Sequence, residues 1–300
     1  MNSVIIFGKL PPPTGGVTKS VNSLYVALKI KNITVEIFSP KSLFKRYDIA
    51  HIHYSKSWKR FAGLVIGKII AKKVIFTLHG RKFKSDILNK LNSKFYDGVI
   101  LLNEETVLEY KGLFKKTERI TSLIREGIDS DSNNNMKKYL EKETDFIYIL
   151  VYAHSKIIEN GYDVYGLDFI INNLSSIPSK YKIVLVDPQN SYENDVKDTD
   201  VIHIKEEIDF IQILKEIDIY IRPTIKDGDS VAVQEALLLG KSVLASNVVP
   251  RPEEVDTYDL HKIDDFIKKI TKIRTNKTFI YKPDSITKYL DFVNDIIEKK

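Results

Sequence analysis

The chain of 300 residues has no cysteine, one tryptophan and two methionines. The missing cysteines exclude a disulfide framework and thiolate metal sites, and they fit a reducing compartment. No stretch approaches the roughly 20 consecutive apolar residues of a membrane span. The start, MNSVIIFGKLPPP, lacks a basic leader region and has only a short apolar run, so it is expected to be a first strand and not a secretory signal. Low-complexity tracts and short tandem repeats are also missing. What is present is an ordinary globular share of apolar and aromatic residues, 43% and 10%, spread over more chain than one typical domain uses.

Acidic residues are scarce in the first half. Residues 1–128 hold 23 Lys or Arg against 9 Asp or Glu, while residues 129–300 hold 23 against 31. A net +6 thus conceals a strongly basic half and a mildly acidic one. The basic half would suit phospholipid headgroups, a lipid-linked phosphate or nucleic acid, or it reflects solvated Lys-rich helices. No nucleic-acid reading module accompanies it, and nucleic acid is not expected as a partner.

Short β-branched runs alternate with helical periodicity along the whole chain. In the first half, strands are expected at 3–7, 33–38, 48–52, 73–77, 98–102 and 120–124. Gly15 and Gly16 stand where the first loop becomes a helix, as a phosphate-approaching turn or as a simple turn requirement. The helix at 57–71 carries Phe61, Leu64, Val65, Ile69 and Ile70 among six Lys or Arg residues. Its apolar positions are expected to pack on the sheet and its basic face to remain available for membrane headgroups. His79 ends a strand and precedes Gly80, which places it where open α/β sheets bind ligands. With His51 and His53 it could form a metal site, but no carboxylate pattern supports that over packing or substrate contact. The polar segment 129–144 reads as a linker. A second strand and helix series follows from 146, and a last amphipathic helix begins at Ser285 behind Pro283.

The stretch RPTIKDGDSVAVQEALLLGKSVLASNVVPR, residues 222–251, is the most informative. It runs from a strand end through an Asp-Gly loop into a nearly all-apolar helix, then Gly240 and another strand, which makes a βαβ unit. Glu235 lies within that apolar helix, and a buried carboxylate needs partners. Asp227, Asp229, Ser230 and Val231 surround its start, where free N–H groups favour an anion. A turn, a cap and a thin solvated stripe would account for the same residues.

This segment resembles the donor-binding motif of retaining GT-B glycosyltransferases of family 4, in which two acids with seven residues between them precede Ala, a Gly and a strand. Here the pair is Asp227 and Glu235, followed by Ala236, Gly240 and the strand at Val243, with Asp in place of the usual first Glu. The RPT, DGDS and EALLLG pieces are similar to members acting in bacterial surface-polysaccharide assembly. The resemblance extends to Gly15-Gly16, to the His51-Ile52-His53 and Thr77-Leu78-His79-Gly80 segments, and to the IREGID exit at 124–129.

The resemblance implies an α/β GT-B fold, two Rossmann-like doubly wound domains facing across a cleft. Residues 1–128 would form an acceptor domain, 129–144 the linker, 145–284 the nucleotide-sugar domain, and 285–300 a helix crossing back. It implies transfer from a UDP- or GDP-sugar to a glycan or lipid-linked acceptor, with retention, no cofactor and no metal, in the cytoplasm and at the inner membrane face. His79 and Asp227 would contact the sugar, and Glu235 the ribose. Gly15, Gly16, Asp229, Ser230 and Val231 would lie near the phosphates. One departure concerns charge. The family's Arg and Lys after the first strand of the second domain are replaced by Ala153 or His154 and by Asn160, which leaves Lys156 as the candidate cation in that loop. A sugar-nucleotide epimerase or hydrolase, or a non-catalytic partner protein of the same fold, would share these features.

Overall fold

The computed structural model describes residues 1–12, 15–79, 87–122, 136–273 and 284–298. By their contacts the residues divide into two units, one of 1–127, 228–231 and 283–300, the other of 128–227 and 232–282.

In the first unit the chain runs through β1 (Ser3–Phe7), α1 (Gly16–Ile30), β2 (Thr34–Ile37), β3 (Tyr47–Ile52), α2 (Ser57–Ile70) and β4 (Ala71–Leu78). It continues through α3 (Ile87–Asn92), β5 (Gly98–Leu101), α4 (Glu104–Glu109) and β6 (Thr117–Arg119). The six strands form one parallel sheet in the order β2-β1-β3-β4-β5-β6. The last expected strand thus lies earlier than 120–124; Ile120 follows it and is buried, and 123–124 fall outside the described residues. Central strands such as Val4, Ile5 and Ile6 are buried on both faces, as a parallel sheet covered on two sides requires.

The second unit holds β7 (Ile147–Tyr152), β8 (Ile158–Glu159), β9 (Tyr162–Asp163), α5 (Leu167–Asn172), β10 (Tyr181–Val186), α6 (Glu193–Val196) and β11 (Ile202–Ile204). It continues with α7 (Phe210–Glu216), β12 (Ile219–Arg222), α8 (Val231–Leu238), β13 (Ser242–Ser246), β14 (Asp256–Tyr258) and α9 (Ile263–Ile270). Its parallel sheet has the order β11-β10-β7-β12-β13-β14. Asp256–Tyr258 adds a sixth strand, and the helix after it begins only at Ile263. Of the expected linker, 129–135 lies outside the described residues, while Met136 and Leu140 are buried in the second core. The IREGID segment and Gly80 also fall outside.

The last helix, α10 (Ser285–Glu298), packs in the first unit, where Ile286, Tyr289, Phe292, Val293 and Ile296 join the core of β1, β3 and α1. Helix α2 departs from expectation. Leu64 and Ile70 face the sheet as predicted, but so do Gly63, Gly67 and Arg60, whereas Phe61, Val65 and Ile69 point outward with Trp58. The reason is close packing: a Cβ on Gly67 would come within 3.0 Å of Ala50 Cβ and 3.2 Å of Val74 Cγ2. The glycine side of the helix therefore seats against β3 and β4, and the apolar stripe opposite is turned away from the sheet.

Candidate functional site

In doubly wound sheets, ligands gather at the carboxyl ends of strands near the point where strand order reverses. In the second sheet β7 is flanked by β10 and β12, so that point lies at the ends of β7 and β12. Arg222 is the last residue of β12, and Ala245 opposite it belongs to β13. Beyond β12 the chain turns through Pro223 and Thr224 to Asp227. This turn is held by Thr224 Oγ1, 2.6 Å from the Val164 carbonyl oxygen, and by Ser246 Oγ, which donates to the Thr224 carbonyl at 2.5 Å. Gly166 supports it from below. It has φ of +69°, and a Cβ there would lie 1.9 Å from the Pro223 carbonyl oxygen.

Asp227 accepts from both sides. Arg222 Nε and Nη2 lie 3.2 and 3.3 Å from its Oδ2 and Oδ1, and Arg251 Nη1 donates to Oδ2 at 2.8 Å. The side chains of Asp227 and Arg251 are 7% and 3% exposed, so the cluster is withdrawn from water. Burial alone would raise the Asp227 pKa, but the two guanidinium groups outweigh it and hold the carboxyl below its usual value. Burial likewise opposes the charge on Arg222, yet Asp227 keeps its pKa raised. Two cations against one carboxylate leave a net positive cluster. Arg251 Nη2 is buried without a hydrogen-bond partner among the described residues. Arg222 also stacks over Tyr165, 5.5 Å from the ring centre.

Asp227 is expected from the sequence to contact a sugar; in the structure its carboxylate also binds two arginines that the sequence did not single out. Arg251 sits 24 positions from Asp227 in an irregular segment, and the only sequence signal was a cation placed just after a buried strand. Lys156, expected to replace the missing cations, pairs with Asp195 at 2.8 Å and lies over the Tyr192 ring. His154, next to the end of β7, has a buried Nδ1 with no hydrogen-bond partner among the described residues. Glu235 is 4% exposed on α8. Tyr152 at the end of β7 is pushed up to about 12 by burial, and the carboxylate of Glu235 is among the nearby charges that add to this.

Gly228–Val231 belong to the first unit by their contacts. Within it Ser122 N–H donates to Asp229 Oδ2 at 2.5 Å, and Ser122 Oγ donates to the Asp229 carbonyl at 3.0 Å. Ser230 is buried. The same unit places Gly15 and Gly16 at the start of α1, and His51, His53 and His79 at the ends of β3 and β4. Neither glycine is demanded by the backbone, because Gly15 is extended at φ −162° and Gly16 is helical. Among the described residues, a Cβ on Gly16 would meet nothing within 4 Å and one on Gly15 only Thr18 Oγ1 at 3.9 Å. A turn requirement therefore does not account for the pair, and the space beside the helix start is open among the described residues.

His53 Nδ1 faces His79 Nε2 at 2.9 Å, so one ring donates to the other. His51 is held by Thr77 Oγ1 at 2.7 Å and by the Tyr289 hydroxyl at 3.2 Å. Burial pushes His51 down to about 3 and His79 down to about 4, and it holds His53 well below its usual value, with the neighbouring imidazoles adding to this for His51 and His53. All three are therefore neutral near pH 7. Among the described residues no cluster of three or more His, Asp or Glu has a metal-holding arrangement.

No family model matches the chain. A UDP-Gal:alpha-D-GlcNAc-diphosphoundecaprenol alpha-1,3-galactosyltransferase of Escherichia coli is 25% identical over a 313-residue alignment covering 89% of this chain and 78% of that protein. Among solved structures, Anabaena Alr3699/HepE in complex with UDP and glucose matches with a TM-score of 0.62 at 14% identity, over 100% of this chain and 98% of that one. WaaG, a glycosyltransferase involved in lipopolysaccharide biosynthesis, matches with a TM-score of 0.57 at 10% identity, over 98% and 94%. The fold is that of GT-B glycosyltransferases, an α/β arrangement of two domains with six-stranded parallel sheets.

Proposed function

We propose that this chain is a glycosyltransferase that moves a sugar from a nucleotide-activated donor, a UDP- or GDP-sugar, to a hydroxyl of a lipid-linked bacterial surface-glycan intermediate. The reading includes retention of anomeric configuration, no bound metal, and action at the cytoplasmic face of a membrane. One observation carries it. In the loop after β7 the cation Lys156 is engaged with Asp195, whereas the end of β12 and the segment after β13 hold the buried Arg222, Asp227 and Arg251 cluster, which carries the positive charge that a departing diphosphate needs. Burial makes a net cationic cluster costly to keep, the more so where Arg251 Nη2 has no hydrogen-bond partner among the described residues, and an anionic ligand offsets that cost.

In this reading Arg251 and Arg222 bear the donor phosphates, and Asp227 fixes the two guanidinium planes. Glu235 accepts from the ribose hydroxyls. In the first unit, the open helix start at Gly16 and the neutral His79, oriented by His53, are the groups that the resemblance assigns to phosphate and sugar. The acceptor oxygen forms its bond to the sugar C1 as the C1–O bond to phosphate breaks, and the acceptor proton passes to the departing phosphate oxygen on the same face. Charge that builds on that oxygen is what the fixed arginines stabilise. The acceptor class is drawn from the Escherichia coli relative, whose substrate is a GlcNAc-diphosphoundecaprenol.

The test is incubation of the purified protein with UDP-galactose, UDP-glucose, UDP-N-acetylglucosamine and GDP-mannose, each with and without a GlcNAc-diphosphate-lipid. Acceptor-dependent release of nucleoside diphosphate, with an α-linked product from an α-linked donor, is expected. Release of free or epimerised sugar whether or not acceptor is present would replace this reading with a hydrolase or epimerase.

A further inference from the structure

Helix α2 is apolar on two opposite sides. Its inner side is the glycine-rich surface on β3 and β4; its outer side is a stripe of Trp58, Phe61, Val65 and Ile69, which falls within one narrow arc at 100° per residue. All four are exposed, Ile69 to 63%. The short 3₁₀ turn Pro40–Phe44, which packs beside α2, adds Leu43 and Phe44, the latter 91% exposed. On α3 and the turn after it, Ile87, Leu91 and Phe95 are exposed as well, Ile87 to 77%. Folding alone gives no reason to place so many large apolar side chains in water, and a concentration of this kind marks a surface that meets something apolar.

Charge identifies the occupant. Segments 40–46, 56–70 and 87–95 contain three, four and two Lys or Arg respectively and no Asp or Glu. Arg60 is turned inward to Asn89 and the Ser55 carbonyl. Lys41, Lys56, Lys59, Lys90 and Lys94 have no carboxylate partner among the described residues. Lys59 Nζ lies 5.4 Å over the Trp58 ring and covers the stripe from its flank. Lys45 and Lys68 pair with Glu36 and Asp97, but aromatic and aliphatic side chains fringed by these five other lysines are complementary to a lipid surface of negative charge: the rings enter the headgroup boundary and the ammonium groups meet phosphates.

We propose that the outer face of α2, with its flanking turns, docks this protein on an anionic lipid bilayer, with Trp58, Phe61, Val65 and Ile69 inserted. The headgroup contact expected from the sequence thus runs through the apolar stripe, and the basic residues form its margin. The proposal is argued from the first unit alone; it deepens the membrane-face part of the proposed function and does not depend on sugar transfer.

Trp58 is the single tryptophan of the chain, so its emission reports the surface without labelling. With vesicles of phosphatidylcholine and phosphatidylglycerol, Trp58 emission is expected to shift to the blue, to be quenched by brominated acyl chains, and to accompany co-sedimentation of the protein. Vesicles of phosphatidylcholine alone should bind at least ten-fold more weakly. The triple variant Phe61→Ser, Val65→Ser, Ile69→Ser changes only exposed positions and retains the probe; it should lose at least ten-fold in partitioning while its unfolding midpoint is unchanged. Unaltered Trp58 emission on anionic vesicles, equal binding to the neutral ones, or full binding by the triple variant would each overturn the proposal. So would a blue shift without lipid that grows with protein concentration alongside dimers in sedimentation equilibrium, because a second copy would then be the occupant. Nucleotide-sugar turnover in detergent, measured on the same preparations, reports the transfer reading separately.

Discussion

Arg251 Nη1 donates to Asp227 Oδ2 at 2.8 Å, and Arg222 Nε shares that same oxygen at 3.2 Å. A buried carboxylate shared by two guanidiniums is costly to break from the acid side, because two cations then lose their counter-charge together. Asp227→Ala is expected to cost about 3–5 kcal/mol in urea denaturation. Asp227→Asn, which still accepts one hydrogen bond, should cost less.

From the arginine side the outcome differs. Arg251→Gln leaves Asp227 paired with Arg222, so the fold should persist. If Arg251 bears phosphate, the preference of the protein for UDP over uridine, read by calorimetry, should fall at least ten-fold, about 1.4 kcal/mol, while uridine affinity holds. An unchanged preference would detach Arg251 from the donor. Lys156→Ala should leave that preference intact, since Lys156 is engaged with Asp195.

Glu235 tests the other end of the donor. Glu235→Ala should weaken UDP binding and lower kcat/KM at least ten-fold, and Glu235→Gln, which keeps an acceptor oxygen without charge, should fall between. Full transfer with unchanged nucleotide affinity in Glu235→Ala would remove the donor-site assignment.

Much of this architecture was readable from the strands, because parallel strands buried on both faces are continuous runs of β-branched or aromatic residues, as in Val4–Ile6 and Ile219–Ile221. Glu235 is buried together with Gln234, as its nearly all-apolar helix suggested, and the solvated stripe that would have explained both is not what forms. Strand β14 was not readable, since Asp256-Thr257-Tyr258 has no apolar run and is a strand only because β13 offers it an edge. The side of α2 that packs inward was hidden for a different reason: periodicity counts apolar side chains, and the packed side is marked by Gly63 and Gly67, whose contribution is the absence of one. The Arg222, Asp227 and Arg251 cluster depends on tertiary proximity between a strand end and an irregular segment, and no local spacing encodes that.

Gly166 gives a test of how far the cluster relies on its support. An alanine there must hold φ near +69°, which costs about 1–2 kcal/mol, and its Cβ would drive into the Pro223 carbonyl one residue from Arg222. Gly166→Ala should therefore lower both the melting temperature and UDP affinity. Gly16→Ala, where a Cβ meets no described atom, should leave melting unchanged and affect only the ligand.

The three histidines of the first unit predict a pH dependence of stability with a definite sign. Their ordinary pKa is 6.5, and in the fold His51 and His79 titrate only at about 3 and about 4, with His53 held low too. Between pH 6.5 and about 4 the unfolded chain thus binds protons that the folded chain refuses. The stability present above pH 6.5 is lost as the pH falls through that window, by about 1.4 kcal/mol per ring per pH unit once the unfolded rings are protonated. From pH 7 to pH 5 His51 and His79 should each cost roughly 2 kcal/mol, roughly 4 kcal/mol together, and His53 acts in the same direction. The depressed carboxylates, Asp48 and Asp227 among them, act in the same direction but only at lower pH, below their ordinary value of 3.8. Urea midpoints of the native chain and of His51→Gln at pH 7 and pH 5 separate these contributions. The substitution removes one titrating ring, so the loss between the two pH values should shrink by roughly 2 kcal/mol. An undiminished loss would mean that His51 is protonated in the folded protein, and the buried neutral cluster that orients His79 would have to be given up.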